Sequence, residues 1–390
     1  MRVAVVTESF LPSANGVTTS VLRVLDHLAA HGHQAVVVCP GPAPQTYAGF
    51  PVVAVPAFTY RGFRAGLPSP LLARVLEDLA PDVLHAASPF GLGAQGLVAA
   101  RRRGIPTVAI FQTDVAGFAG KHGLRATAPA IWQWLRRVHS YADRTLAPSS
   151  ASLADLAAAG ITRTAWWGRG VDAETYHPQH RGTPAGAALR RRLLDGAPGG
   201  TVLVGYVGRL APEKGVGRLA GLARLPGVRL VVVGDGPERA ALEREVGPAG
   251  ARMLGRLDGA DLARAYAALD VFVHTGTHET FGQTLQEAMA SGLPVVAPAA
   301  GGPLDVVAEG ETGYLYAPDD DAALAQAVRV LAADPGMRAR MGEAGRRRVL
   351  PRSWEALGEA LLRHYADVVE HAEARASRLV ADLERTTPSF

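Results

Sequence analysis

The chain has 390 residues, 48% of them apolar and 19% charged, with a net charge of +4. That length exceeds what one hydrophobic core supports, and the composition excludes a disordered or fibrous chain, so two globular domains are expected. The single cysteine, Cys39, excludes a disulfide framework and a thiolate metal site, and no apolar run approaches the roughly twenty residues of a membrane span.

The chain opens on "RVAVVT", a strand pattern with no extended apolar segment of the signal-peptide kind, so a cytoplasmic location is expected. A helix is predicted from about Thr18 to Ala30. "AVVVC", "PVVAV", "DVLHAA", "TVAIFQT", "RTLAPS" and "RTAWWG" follow as strands separated by helical stretches. Such alternation predicts βα units and a parallel sheet. The polar, Pro- and Gly-bearing stretch Asp172–Gly186 interrupts it and places a domain boundary near residue 180. The pattern then restarts with "TVLVGYVGRL", "VRLVVVGDGPER", "ARMLGRL", "DVFVHTG" and "PVVAPAAGG", and helical periodicity returns from Trp354 to about Leu383. The expected organisation is α/β: Rossmann-like domains over 1–180 and 181–370 facing one another across a cleft, with a helical tail over 371–390.

In such sheets ligands bind outside the carboxyl ends of the strands, so the loops there carry the candidate residues. After the first strand, Asn15-Gly16 is a turn signal, and Gly16 could let backbone approach a ligand at a helix N-terminus. In "FQTDVAGFAGKHG", Asp114 suits either a hydroxyl ligand or a helix N-cap, and Lys121 and His122 follow it. Arg169 in "WWGRGVD" suits either the cleft or a structural ion pair. In "GYVGRLAPEKG", Arg209 and Lys214 stand in one strand-to-helix loop, where two cations would neutralise a diphosphate and stabilise it as it departs. Only Lys121 and Lys214 are lysines, which sets Lys214 apart. "VVVGDGPER" lacks the full dinucleotide-binding glycine spacing and reads mainly as a structural turn.

"THETFGQTLQEAMASGLPVVAP" carries the strongest signal. Glu279 follows the strand "DVFVH", Glu287 lies within the next helix, and the amides of Thr280, Phe281 and Gly282 stand between them at a helix N-terminus. The plainer reading makes Glu279 a helix-start acid and Glu287 a solvated residue. No metal is expected: His31-Gly-His33 is far in sequence from any carboxylate cluster, and Asp319–Asp321 suit a helix start. Residues 1–180 carry 15 basic against 10 acidic side chains, so this half could meet an anionic membrane surface peripherally. Nucleic-acid binding is not expected, because the basic residues are not interleaved with aromatics.

Together, the Asn15-Gly16 turn, "GRLAPEKG" and "HETFGQTLQEAMASGLPVVA" resemble the retaining glycosyltransferases of family 4, which share the GT-B fold. "ESFLPSANGV", "HAASPFGLG", "FQTDVAGFA" and "WWGRGVD" look most like the actinobacterial GDP-mannose-dependent α-mannosyltransferases within it. The resemblance implies that Glu279 contacts donor hexose hydroxyls, Glu287 the ribose, and Arg209 and Lys214 the diphosphate, with Gly16 approaching the same phosphates. It implies a nucleotide-sugar donor, a glycolipid or small glycoside acceptor, and a front-face displacement needing no metal. Asp114 stands in the first-domain loop where related lipid mannosyltransferases often have histidine. A UDP-sugar-dependent transferase and a sugar-nucleotide 2-epimerase are the alternatives on the same fold.

Overall fold

The computed structural model describes residues 1–13, 15–60, 63–112 and 128–386. The first half forms an eight-stranded sheet of β1 (Arg2–Val6), β2 (Gln34–Pro40), β3 (Thr46–Tyr47), β4 (Phe50–Val55), β7 (Val83–Ala86), β8 (Thr107–Ile110), β9 (Arg144–Ala147) and β10 (Thr164–Trp166). Its order is β10-β9-β8-β7-β1-β2-β4-β3, parallel except at the β3 edge. Between β4 and β7 lies a small antiparallel hairpin, β5 (Ala57–Tyr60) and β6 (Phe63–Gly66), whose four-residue strands the sequence reading did not mark.

The second half forms a six-stranded parallel sheet in the order β13-β12-β11-β14-β15-β16. Its members are β11 (Val202–Val207), β12 (Val228–Val233), β13 (Arg252–Gly255), β14 (Val271–Val273), β15 (Val295–Pro298) and β16 (Gly313–Tyr316). Both sheets reverse their strand order beside a central strand, β1 in the first and β11 in the second, and a crevice opens at each reversal. All six residues of β11 are buried, as apolar runs covered by helices on both faces must be.

The cores divide at a short crossing. Trp167 packs in the first-half core and Val171 in the second. Val171 then pairs with Ser353, and the Val171 amide donates to the Arg352 carbonyl at 2.8 Å, so outgoing and returning chain cross side by side. The last helix, Trp354–Thr386, lies against the first half: Leu357, Leu361, Tyr365 and Val368 are buried in its core. Their spacing of three and four residues presents one helix face. The Trp167 indole donates to the Leu357 carbonyl at 2.9 Å, the Tyr365 hydroxyl meets His85 Nδ1 at 2.6 Å, and Arg144 pairs with Asp367 at 2.7 Å. The hydrophobic cores thus part near residues 167–171 and 353. The polar Asp172–Gly186 stretch packs on the second half, where Arg181 pairs with Asp270 at 2.5 Å. Among the described residues no helix is long and apolar enough to cross a membrane.

Tyr365 is fully buried, and its hydroxyl partner His85 is 1% exposed. Tyr365→Ala should therefore cost about 3–5 kcal/mol through the cavity it opens. Tyr365→Phe should cost about 1–3 kcal/mol by leaving His85 Nδ1 unsatisfied. Urea unfolding of the two variants beside the parent chain checks both, and an unchanged midpoint for Tyr365→Ala would refute the placement of the last helix.

Candidate active site

Strands β11 and β14 are neighbours in the second sheet, so the loops at their carboxyl ends meet. The β11 loop carries Lys214 at the end of a short 3-10 turn, Pro212–Lys214. The β14 loop runs from His274 to Gly282, where the helix Gln283–Ala290 begins. The Thr275 hydroxyl donates to the Lys214 carbonyl at 2.7 Å and ties the loops together. Lys214 Nζ then reaches Glu279 Oε2 at 2.6 Å, with 28% and 21% of the two side chains exposed. Burial acts to raise the Glu279 pKa, but the Lys214 charge and hydrogen bond, with His274 and Arg169, bring it below the usual carboxylate value. For Lys214 burial pushes down and Glu279 more than reverses it, so the ammonium is held charged.

The β15 loop supports this arrangement from behind. The Gly302 amide donates to the Glu279 carbonyl at 2.7 Å, and a Cβ at Gly302 would lie 2.3 Å from Phe281 Cα, so only glycine permits that approach. On the other side, the "VVVGDGPER" turn acts as a structural brace: the Leu210 amide donates to the Asp235 carbonyl at 2.9 Å, beside Arg209. Arg209 itself is exposed and lies 3.5 Å from Glu213. The amides of Thr280, Phe281 and Gly282 donate to no group among the described residues.

Glu287 is half-buried on the helix that follows, and the Tyr266 hydroxyl donates to its Oε2 at 2.9 Å. Burial pushes its carboxyl up to about 7, against the hydrogen bonds of Tyr266 and Gln283. Glu287 is thus neither a freely solvated residue nor part of the Lys214 ion pair.

The first half reaches the same place through Arg169, which is 8% exposed. Its guanidinium donates to the Gly16 carbonyl at 2.9 Å and to Gln112 Oε1 at 2.7 Å. Its own carbonyl accepts from Gln286 at 2.9 Å, and the Thr280 hydroxyl donates to the Gln112 carbonyl at 3.3 Å. Among the described residues its guanidinium is held by the Gly16 carbonyl and Gln112, not by a carboxylate. Burial brings its pKa down to about 10, partly offset by Glu279, and it stays charged at neutral pH. Gly16 begins the first helix, Gly16–Ala30, and the cap is Asn15, whose side chain accepts from the Val17 and Thr18 amides, not Thr18 or Thr19. A Cβ at Gly16 would meet nothing within 4 Å, so the space above it is open. Asp114, Lys121 and His122 lie outside the described residues.

Sequence reading missed His274, Gln112 and Tyr266. His274 follows β14 directly, is 2% exposed, and lies 3.6 Å from Glu279 through Nε2. Neither ring nitrogen has a hydrogen-bond partner that meets good geometry, and burial pushes its pKa down to about 4, leaving it neutral near pH 7. Its signal was available, since a histidine closing an apolar strand falls where ligands bind. Gln112 likewise follows the carboxyl end of β8, whereas Tyr266, inside a helix, carries no such signal.

Comparison with known proteins agrees with this geometry. Residues 14–175 match the model of Glycosyltransferase Family 4 and residues 195–348 that of Glycosyl transferases group 1. The chain is 48% identical over 387 residues to a GDP-mannose-dependent alpha-mannosyltransferase of Mycolicibacterium smegmatis, covering 97% of this chain and all of that one. It is 45% identical to a protein of the same description from Corynebacterium glutamicum, over 95% of this chain and 89% of the other. The crystal structure of Anabaena HepE in complex with UDP superposes with a TM-score of 0.76 at 22% identity, covering 94% of this chain and all of that one, which shows the shared GT-B fold. With Gly16 and Arg169 inside the first matched stretch and Lys214, Glu279 and Glu287 inside the second, the chain belongs to glycosyltransferase family 4.

Proposed function

We propose that this glycosyltransferase moves mannose from GDP-mannose to a glycolipid or small glycosylated acceptor with retention of configuration. The observation that carries the reading is the Lys214–Glu279 pair at the switch point of the second sheet, facing Arg169 and Gly16 across the cleft. Mannose and guanosine are supported by the descriptions of the relatives at 45–48% identity.

On this reading Lys214 and Arg209 meet the donor diphosphate, and the ionised Glu279 accepts hydrogen bonds from hexose hydroxyls. The amides of Thr280, Phe281 and Gly282 face the sugar, while the amino end of the Gly16 helix and the charge of Arg169 approach the phosphates from the first half. In the transfer the bond from the anomeric carbon to the phosphate oxygen breaks and the acceptor oxygen bonds on the same face. The acceptor proton passes to the departing diphosphate. The protein's part is positioning and charge stabilisation of that leaving group. Asp114 is proposed to act on the acceptor side, and peripheral membrane contact of the basic first half would bring a lipid acceptor within reach.

A thermal-shift panel with GDP, UDP, ADP, GDP-mannose, UDP-glucose and UDP-N-acetylglucosamine tests the donor. GDP-mannose should stabilise most, and preference for a UDP-sugar would discard mannose. With donor and a cell lipid extract, Glu279→Ala and Lys214→Ala should each lose at least about 100-fold in turnover. Turnover near the parent rate in either would sink the assignment.

Glu287 is proposed to accept from the donor ribose, which requires its ionised form. Its folded pKa of about 7 lies above the ordinary 4.5, so in the free protein it gains a proton as pH falls through 7. Ribose binding favours the anion and lowers that pKa, so donor affinity should rise between about pH 6 and 8, with proton release on binding. Calorimetry in buffers of different ionisation enthalpy reads this directly. In Glu287→Gln the release should vanish and binding weaken; undiminished release would place the proton elsewhere.

A further inference from the structure

Away from the cleft, the first and last helices face one another through four side chains. His27 and His31 stand one turn apart on the first, and Glu355 and Glu359 one turn apart on the last, with ligand atoms from all four within 4.8 Å of one another. His31 Nε2 lies 3.3 Å from Glu355 Oε1 and 3.3 Å from Glu359 Oε1, and His27 Nε2 lies 3.8 Å from Glu359 Oε1. A tetrahedral ion bound at about 2.0–2.1 Å separates its ligands by about 3.3 Å. The two His31 spacings match that value and the His27–Glu359 spacing of 3.8 Å is somewhat longer, so small side-chain adjustments would close a four-ligand shell.

Two further observations point to a ligand. The His27 side chain is only 5% exposed, and its Nε2, aimed at Glu359, is buried without a hydrogen-bond partner. Its ring lies flat on the last helix at Gly358, where a Cβ would come within 2.3 Å of His27 Cγ, so any larger residue would push the ring out of the cluster. His31 Nδ1 donates to the His27 carbonyl at 2.9 Å. That bond leaves Nε2 aimed at two carboxylates, the backbone-oriented tautomer common to metal-ligating histidines. Two neutral imidazoles and two carboxylates sum to −2, which a divalent cation neutralises. Glu355 is 65% exposed and leaves a path from solvent. His33, the third histidine nearby, instead faces the amino terminus through Nδ1 at 2.9 Å.

We propose that His27, His31, Glu355 and Glu359 form a site for a divalent transition-metal ion of the zinc class, which staples the last helix to the first. Imidazole with carboxylate oxygen suits zinc or cobalt(II) better than the hard, all-oxygen preferences of magnesium or calcium. The staple would act on the element that returns across the domain crossing and would brace the helix whose other end begins at Gly16. The sequence expectation of no metal rested on His31-Gly-His33 lying far in sequence from any carboxylate cluster, a distance that the returning helix removes for His31.

The test uses the full-length, tag-free protein stripped with a chelator and titrated with cobalt(II) and then zinc. One equivalent per chain should bind, with the visible bands of tetrahedral cobalt, displacement by zinc and a higher melting temperature. His31→Gln and Glu359→Gln, both at partly exposed positions, should each weaken binding by at least about 10–100-fold while remaining folded. Magnesium in place of zinc should leave the melting temperature unchanged. Absence of stoichiometric binding in the parent chain, or binding untouched by both variants, would overturn the site. The readout is ion binding, so it stands apart from any failure of the donor assignment.

Discussion

The Lys214–Glu279 ion pair is the point on which the cleft depends, because it joins loops from two adjacent parallel strands. Strands β11 and β14 are covered on both faces, so their carboxyl ends can offer chemistry only through the loops that leave them. A partly buried ion pair loses hydration and contributes little net stability. Its value lies in pre-setting charge: each partner holds the other ionised, so a cation and an anion are in place before ligand arrives. His274 beneath them is kept neutral by the same burial, and the Gly302 turn leaves the Glu279 backbone no room to shift.

Arg169 extends that arrangement across the domains. Among the described residues the buried Arg169 guanidinium is met by two oxygen acceptors and by the field of Glu279. It contacts the first turn of the first helix on one side, and its backbone is held by the helix after Glu279 on the other. The residue lies within the crossing segment, so the element that links the domains also contributes to their shared surface. The last helix completes the design by returning across Ser353 and packing into the first core, so the carboxyl-terminal segment belongs to the amino-terminal domain.

What could be read from the chain and what could not follow the range of the forces involved. Apolar runs bounded by glycine and proline marked the strands of both sheets except β3 and β16, because burial in the sheet is written locally. The carboxyl-end rule placed Glu279, Lys214, Arg209 and Gly16 in loops or helix starts that follow β-strands, and that is where they lie. The hairpin at Ala57–Gly66 escaped because its strands bury no continuous apolar run.

The amino-acid sequence by itself determined the doubled βα alternation, the loops that bear function, and the family, since these rest on periodicity and on short motifs whose spacing is fixed along the chain. Tertiary structure alone decided which side chains meet. Lys214 and Glu279 are 65 residues apart and touch because β11 and β14 are neighbours in the sheet. Arg169 reaches Gly16 across 153 residues, and His27 meets Glu355 across 328. Such contacts depend on strand order and on where the last helix finds an apolar face to cover, and both are outcomes of packing the whole chain at once.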